Sequence, residues 1–246
     1  MTVALPNVRK LFIPDPGYML FDADLAGADA QVVAAESSDT DLLKAFEEGL
    51  DVHVKNATDL WGSGFTSLVD NARYQRRQQC KQAVHGTNYG AHPKTLSTIL
   101  GWSVREAQTF QDRWFALHPG IKEWHRRVDS DLRDTRIARN RLGYRIIYFD
   151  RIEALLPQAL AWIPQSTVAL TAFRGALQLE QRCSEVEILL QVHDSVVFQV
   201  PFRFADSVGR FKEALTVPIP YDPPLTIQWG LARSEKSWGD CEKVSA

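Results

Sequence analysis

Two aspartates lie at the ends of predicted strands in opposite parts of the chain. Asp24 closes an apolar run that starts at residue 18, and Asp194 lies in the predicted turn between the β-branched runs 188–192 and 196–200. Mg²⁺ prefers oxygen ligands and is usually held by one or two carboxylates plus substrate phosphates. Two such ions can stabilise the attacking and leaving oxygens of an in-line displacement. If the strands are neighbours, the pair is a candidate metal site. Taken singly, each aspartate is more typical of a turn or cap.

A second set of residues has the spacing of one helix face. Arg77, Lys81, His85 and Tyr89 follow one another at steps of four, which makes them near neighbours on a helix. A guanidinium binds phosphate through two hydrogen bonds and an ammonium acts as a point charge, so this pair suits a triphosphate. His85 and Tyr89 offer flat surfaces for a sugar and base. The alternative is a solvated basic helix with one buried tyrosine.

Composition excludes some classes and leaves others open. The chain has 246 residues, a hydrophobic fraction of 45% and a net charge of −2, which is ordinary for a soluble globular protein but not for a uniformly basic nucleic-acid binder. No apolar stretch is long enough to cross a bilayer. We expect no signal peptide, free thiols at the three cysteines and a cytoplasmic location. Positive charge concentrates in the segment 113–151, at Lys122, Arg126, Arg127, Arg133, Arg136, Arg139, Arg141 and Arg145.

The predicted elements place strands at both ends of the chain and helices in the middle. Strands are predicted at 18–24, 145–149, 188–192, 196–200 and 225–229. Helices are predicted at 28–35, 40–48, 52–61, 73–85, 104–118, 121–133, 166–182 and 204–215. This order predicts an α+β sheet domain with a helical lobe inserted into it. Asp22, two residues before Asp24 on the same strand face, is a further candidate ligand or a group that supports Asp24.

Together these segments resemble the palm and fingers of a family A DNA polymerase, the group of bacterial DNA polymerase I and its phage relatives. DADLAGADAQ is similar to motif A, RRQQCKQAVHGTNYG to motif B and QVHDS to motif C. Weaker matches follow in the family's order. They are DVHVKNATDLWG, LHPGIKEW, IPQST and SWGD.

The resemblance implies template-directed addition of dNTPs to a primer 3′-hydroxyl with two Mg²⁺ ions, for which Mn²⁺ substitutes. Its fold would be an antiparallel-sheet palm, 1–36 and 141–246, with an inserted all-helical fingers subdomain, 37–140. The implied metal ligands are Asp24, Asp194 and the Leu25 carbonyl. The implied nucleotide-binding residues are Asp29, His53, Arg77, Lys81, His85 and Tyr89. The implied contacts to primer-template DNA are Arg141, Arg145, Gln165 and His193.

The chain departs from the family pattern at four positions. Asp29 replaces a usual glutamate that crowds the sugar 2′ position and His85 replaces a usual Phe or Tyr, so exclusion of ribonucleotides is in question. Ser195 replaces a common glutamate, and Leu170 a usual aspartate. The thumb, the exonuclease domain and the first part of the palm are not in this sequence. We therefore expect a second polypeptide to supply the thumb and remaining palm.

Two other functions stay open. A single-subunit RNA polymerase of the phage type shares the palm and has His-Asp-Ser in motif C, but a small residue is expected where Asp29 stands. A non-catalytic DNA-binding remnant would keep the fold, but it would retain both aspartates and both triphosphate cations only by chance.

Overall fold

The computed structural model describes residues 7–151 and 154–244. The described residues divide into two compact units. One unit comprises the described parts of Met1–Ala28 and Thr167–Ala246, and the other comprises those of Asp29–Ser166. We call them the sheet unit and the inserted unit.

An antiparallel five-stranded sheet organises the sheet unit. Its spatial order is β4-β5-β1-β6-β7. The strands of the sheet are β1 Tyr18–Leu25, β4 Glu187–Val192, β5 Ser195–Pro201, β6 Trp229–Ser234 and β7 Glu242–Lys243. β1 lies in the middle and pairs with both β5 and β6. The first and last parts of the chain therefore supply one sheet, so the α+β prediction with an antiparallel sheet is confirmed.

Aromatic packing fixes the register of the two central strands. Phe21 of β1 and Phe198 of β5 are register partners, and their stacked rings have centroids 5.1 Å apart. Phe211 contacts both rings edge-on, and all three side chains are fully buried. A slip of one residue would turn this face of β1 toward solvent, so the stack determines where the strand ends.

Helices dominate the inserted unit. The α-helices of the chain are α1 Ala28–Glu36, α2 Thr40–Glu47, α3 Val52–Trp61, α4 Ser63–Thr66, α5 Asp70–Asn88, α6 Pro93–Leu100, α7 Val104–Leu117, α8 Pro119–Thr135, α9 Leu156–Arg182 and α10 Val208–Leu215. Trp114 and Trp124 are fully buried in the core of the inserted unit. A short hairpin of β2 Ile137–Arg139 and β3 Arg145–Ile147 also lies in this unit, which is therefore not entirely helical.

Capping side chains explain where several of these helices begin. Asp39 accepts a hydrogen bond from the Leu42 amide at the start of α2, and Asp51 accepts from the amides of His53 and Val54 at the start of α3. Ser103 and Glu106 form a reciprocal capping box at the start of α7. Such side chains satisfy backbone N–H groups that have no partner within the helix.

The structure differs from the predicted elements in several places. The helix predicted from residue 166 begins at Leu156 and runs through Pro164, because buried residues on the preceding turns, such as Leu160, outweigh the hydrogen bond that proline lacks. The last long strand is Trp229–Ser234 rather than 225–229, and residue 225 forms only an isolated bridge with Ile219. The helix predicted from 204 begins at Val208. The sequence pattern did not predict α4, α6, β2 or β7.

Two expectations from the composition of the chain can be compared directly with the structure. Among the described helices, none combines the length and the apolar composition that crossing a lipid bilayer requires. Cys80, Cys183 and Cys241 are free thiols, as predicted.

Candidate functional site

The structure brings Asp24 and Asp194 to neighbouring strand ends of the sheet unit. Asp24 is the register partner of Ser195, and the Leu25 amide donates a hydrogen bond of 3.1 Å to the Asp194 carbonyl. His193, the first residue of the turn, has a φ of 55°. This left-handed conformation allows a two-residue turn between β4 and β5. The tight turn places Asp194 beside the end of β1.

The electrostatics of this corner favour a cation. Burial, followed by the neighbouring carboxylates of Asp194 and Asp22, raises the pKa of Asp24 to about 6. Arg9 and Lys243 act in the opposite direction but do not offset the rise. Neighbouring like charges disfavour ionisation, and a divalent ion would relieve that repulsion. An all-oxygen donor set suits a hard ion such as Mg²⁺. The residues present therefore fit the predicted metal.

Asp22 has a different set of contacts from Asp24. One carboxylate oxygen accepts a hydrogen bond of 2.7 Å from the Trp238 indole, and the Arg9 guanidinium lies 3.9 Å from the same oxygen. The other oxygen is buried without a hydrogen-bond partner in the described part of the chain. Asp22 thus links β1 to the turn at Trp238, in the SWGD segment.

The predicted triphosphate cations lie on α5, with one of them already paired. Arg77 donates to Asp51 through Nε at 2.9 Å and through Nη2 at 3.0 Å. Burial acts to raise the pKa of Asp51, but Arg77 and the amides at the start of α3 hold that pKa below its ordinary value. Asp51 was not among the residues predicted from the sequence, although an aspartate immediately before a helix is a usual capping signal. Lys81 is exposed, and no described carboxylate forms an ion pair with it.

His53 lies close to this pair of cations. Burial, followed by the charges of Lys81 and Arg77, lowers the pKa of His53 to about 4. Its Nδ1 is buried and has no hydrogen-bond partner among the described residues. At neutral pH the imidazole is therefore uncharged in the absence of a ligand.

Tyr89, His85 and Asp29 form a second cluster in the inserted unit. The rings of His85 and Tyr89 have centroids 4.3 Å apart. Burial and the nearby Asp29 carboxylate raise the pKa of Tyr89 well above its ordinary value. Burial lowers the pKa of His85, and the Asp29 charge only partly offsets it. The three side chains that the sequence analysis connected with the sugar are thus neighbours.

Three side chains that the sequence analysis missed hold the end of α5 in place. The Trp114 indole donates to Oδ1 of Asn88 at 2.8 Å, and a ring nitrogen of His125 lies 2.8 Å from the Asn88 carbonyl oxygen. Gln111 donates to the Ala91 carbonyl at 2.7 Å. These contacts flank Tyr89 on both sides along the chain. No short motif reports them, because donors and acceptors lie at least 20 residues apart.

The predicted DNA-contacting residues fall in both units. Arg141 lies 3.5 Å from the buried Glu36 carboxylate, whereas Arg145 is exposed on β3 and has no ion pair with a described residue. Gln165 is exposed on α9, one residue before Ser166, which accepts a hydrogen bond from Asn140. His193 is exposed at the turn of the sheet unit.

Another group of possible metal ligands lies in the inserted unit. Asp39, Asp41 and His118 place one ligand atom each within 4.8 Å of one another. However, Nδ1 of His118 lies 2.8 Å from Asp39, and the Lys55 ammonium pairs with Asp41. Because a cation from the chain itself already neutralises Asp41, we assign no metal to this group.

Comparison with known proteins gives a consistent set of relatives. The family model described as DNA polymerase family A matches residues 2–239. A thermostable DNA polymerase I from Thermus filiformis is 30% identical over 237 residues, which is 92% of this chain and 28% of that protein. A DNA polymerase from Mycobacterium phage D29 is 25% identical over 233 residues, 95% of this chain and 37% of that protein. The chain thus spans 28% and 37% of the lengths of these two relatives.

One solved structure shows the same fold. The POL domain of Pol1 from M. smegmatis, in complex with DNA primer-template and dNTP, superposes with a TM-score of 0.83 at 22% identity. The match covers 96% of this chain and 44% of that one.

Proposed function

We propose, from the premise that this chain belongs to DNA polymerase family A, that it takes part in template-directed DNA synthesis. The reaction joins a deoxynucleotide to a primer 3′-hydroxyl and releases pyrophosphate. The observation that carries the proposal is the placement of Asp24 beside Asp194, with the pKa of Asp24 raised by burial and then by the neighbouring carboxylates. This corner has the charge and the donor atoms that phosphoryl transfer requires.

Asp24, Asp194 and the Leu25 carbonyl would hold two Mg²⁺ ions, or Mn²⁺ in their place. When bound, such ions supply charge neutralisation and lower the pKa of a coordinated hydroxyl. The protein's own contribution is to place both carboxylates on a buried, aromatic-packed sheet. Trp238 and Arg9 contact Asp22, which lies two residues before Asp24 on β1. The strand therefore cannot shift without breaking these contacts.

The cations of α5 are proposed to bind the triphosphate. The contact with Asp51 uses Nε and Nη2 of Arg77, which leaves Nη1 for a phosphate oxygen. Lys81 adds a point charge, and His53 donates as a neutral imidazole until phosphate charge raises its pKa. Preorganised donors of this kind stabilise developing charge without reorganisation during the reaction.

For the remaining predicted residues, the roles are proposed from the resemblance to the family. Asp29, His85 and Tyr89 would contact the sugar and base of the nucleotide, and the sheet and inserted units would act as palm and fingers. Contacts to the primer-template duplex are proposed for Arg141, Arg145, Gln165 and His193. The predicted subdomain boundaries at residues 36 and 140 stay predictions.

Primer extension with Mg²⁺ tests the proposal. We expect wild-type protein to extend a primer with dNTPs, and Asp194→Ala to lose extension by at least about 1,000-fold, which corresponds to about 4 kcal/mol. Asp206→Ala is the matched control, since the side chain of Asp206 is 96% exposed in the same unit. Equal extension by the two variants would contradict the proposal. Preference for rNTPs over dNTPs would instead indicate an RNA polymerase.

We also propose that a second polypeptide completes the polymerase. Phe173 and Leu177, four residues apart on α9, are 50% and 55% exposed, and Leu189 on edge strand β4 is 42% exposed. Such apolar exposure is typical of surfaces that another segment covers. Native purification followed by gel filtration tests this, and a monomer that extends primers processively would contradict it. A cytoplasmic location, in the host cell if the gene belongs to a phage, stays a prediction.

A further inference from the structure

We infer that an aromatic, arginine-lined cavity in the inserted unit binds single-stranded DNA. The cavity has a volume of about 300 Å³ and lies among α3, α5 and α7. It is distinct from the α5 stripe, because Arg76 rather than Arg77 lines it. Its principal walls are three aromatic and three arginine side chains, namely Trp61, Trp102, Phe110, Arg76, Arg105 and Arg113.

The aromatic walls are packed but not fully covered. Ring centroids are 6.4 Å apart for Trp61 and Trp102, and 5.4 Å apart for Trp102 and Phe110. Phe110 is buried, whereas Trp61 and Trp102 are half-buried and keep ring surface at the cavity. The Arg76 guanidinium lies 5.0 Å from the Trp61 ring centroid. Nucleic-acid bases stack on rigid aromatic surfaces of this kind whatever their sequence.

The charges around the cavity favour an anionic ligand. Arg105 and Arg113 are exposed on α7, and within the described ranges neither forms an ion pair. The acidic residue that lines the cavity, Glu106, already accepts a hydrogen bond of 2.7 Å from the Ser103 amide in the capping box. The Glu106 carboxylate offsets part of the charge of Arg76, but the three arginines outnumber this one acid, so the walls carry a net positive charge. Guanidinium groups bind phosphate oxygens through paired hydrogen bonds.

The spacing of the arginines favours a strand over a single nucleotide. Arg105, Thr109 and Arg113 follow one another at steps of four and so lie on one face of α7. Eight residues of helix extend about 12 Å, which is too far for a single phosphate group to contact both guanidinium groups if they stay above their own helix turns. A ligand that contacts both arginines then needs more than one phosphate. The occupant that satisfies the aromatic walls and this spacing is a short single-stranded segment.

The biological role of this cavity rests on the proposed function, since the template ahead of a primer is single-stranded. Binding itself needs neither a primer end nor Asp194. The experiment therefore uses the full chain as Asp194→Ala, without dNTPs. Failure of primer extension and failure of single-strand binding remain separate results.

Fluorescence anisotropy with a labelled 12-nucleotide oligothymidylate measures the binding. We expect Arg105→Ala with Arg113→Ala to weaken Kd at least about tenfold, and to reduce the slope of log K against log salt by about 1.4, two phosphate contacts at about 0.7 each. The control removes two exposed lysines elsewhere, Lys44→Ala with Lys236→Ala, and should change Kd less than about twofold. An arginine variant with the affinity and salt slope of the control would overturn the inference.

Photocrosslinking locates the strand and tests the aromatic walls without a substitution that risks unfolding. An oligonucleotide with 5-iodo-deoxyuridine should crosslink to peptides that contain Trp61 or Trp102. Crosslinks confined to other peptides, including the one with Tyr89, would overturn the inference. As a further test, unlabelled oligonucleotide is titrated until half of the labelled oligonucleotide is displaced. Thymidine monophosphate at that same concentration should not displace it. If it competes equally well, the cavity is a mononucleotide site and the single-strand assignment is wrong.

Discussion

At the scale of single residues, one acid holds one of the two cations that are proposed to bind the triphosphate. Asp51 caps α3 and pairs with Arg77, so one carboxylate fixes both the start of the helix that carries His53 and the position of a guanidinium. Lys81 has no such partner among the described residues. We therefore expect the Arg77 side chain to keep its position in the absence of a triphosphate, because Asp51 holds it. The Lys81 side chain should be more mobile under the same condition.

Replacing Lys81 tests the phosphate role directly. Lys81→Ala should weaken dNTP binding by about 10- to 100-fold, because a hydrogen bond to a charged group is worth about 1.5–3 kcal/mol. Lys94→Ala, an exposed lysine of α6, is the matched control. Titration with a fluorescent dNTP analogue measures both variants, and equal affinities would contradict the assignment of Lys81.

At the scale of elements, the end of α5 is held by side chains from α7 and α8. Asn88 is 5% exposed and receives both the Trp114 and the His125 contacts. A buried amide oxygen that loses its donor is costly. The position of Tyr89, the next residue, therefore depends on the packing of three helices.

Trp114→Phe should destabilise this arrangement. It removes the indole N–H and leaves Oδ1 of Asn88 buried without that donor, which should lower the free energy of unfolding by about 1–3 kcal/mol. Urea denaturation measures the change. Trp102→Phe changes a half-buried tryptophan whose indole N–H forms no hydrogen bond with a described residue, and it should cost less than Trp114→Phe. The opposite order would contradict the role of the Asn88 contact.

The Asp39–His118 pair gives the inserted unit a pH-dependent stability. Burial acts to raise the pKa of Asp39, but His118 and the Leu42 amide outweigh it and hold the pKa below its ordinary value. A carboxylate with a depressed folded pKa stabilises the protein above its unfolded pKa, about 3.9, and loses that contribution as the pH falls through the folded value.

Asp39→Asn isolates this effect, because asparagine is as good an N-cap as aspartate. We expect a loss of about 1 kcal/mol at pH 7, the difference between a charge-assisted and a neutral hydrogen bond. The difference in free energy of unfolding between wild type and variant should be smaller at pH 3 than at pH 7. Urea denaturation at the two pH values measures this difference, and a larger difference at pH 3 would contradict the assignment.

At the scale of the whole molecule, a net charge of −2 coexists with the proposed binding of a polyanion. Ion pairs within the basic segment help to explain how both can be true. Arg141 and Arg127 both approach the buried Glu36 carboxylate, so part of the basic segment is internally neutralised. Arg145 is not paired with a described residue, which leaves it available to a phosphate.

Two substitutions distinguish these arginines. Arg145→Ala should weaken primer-template binding more than Arg141→Ala and reduce the salt slope by about 0.9, the value for one phosphate contact on duplex DNA. Arg141→Ala should weaken binding less, because the Glu36 carboxylate already offsets the Arg141 charge, and it should also lower stability, because it removes one partner of a buried acid. Anisotropy with labelled duplex at several salt concentrations checks the order of the two effects.

Short-range patterns in the sequence predicted the parts of this protein that local forces determine. The predicted helix 52–61 has the observed bounds, and the two apolar runs around Asp194 form the predicted hairpin. The spacing of four residues predicted one helix for Arg77, Lys81 and His85, which lie on α5, whereas Tyr89 directly follows the last residue of that helix. Capping, turn geometry and helix periodicity act within a few residues, so one segment is enough to predict them.

Long-range pairing, in contrast, required the tertiary structure. The partners Arg77 and Asp51 are 26 residues apart, His118 and Asp39 are 79 apart, and Trp238 and Asp22 are 216 apart. Each pair forms only because particular helices or strands pack together, and the energy that selects this packing is the burial of apolar surface summed over the core. Residue types and spacing therefore indicated the chemistry, whereas packing determined which acids and bases became partners.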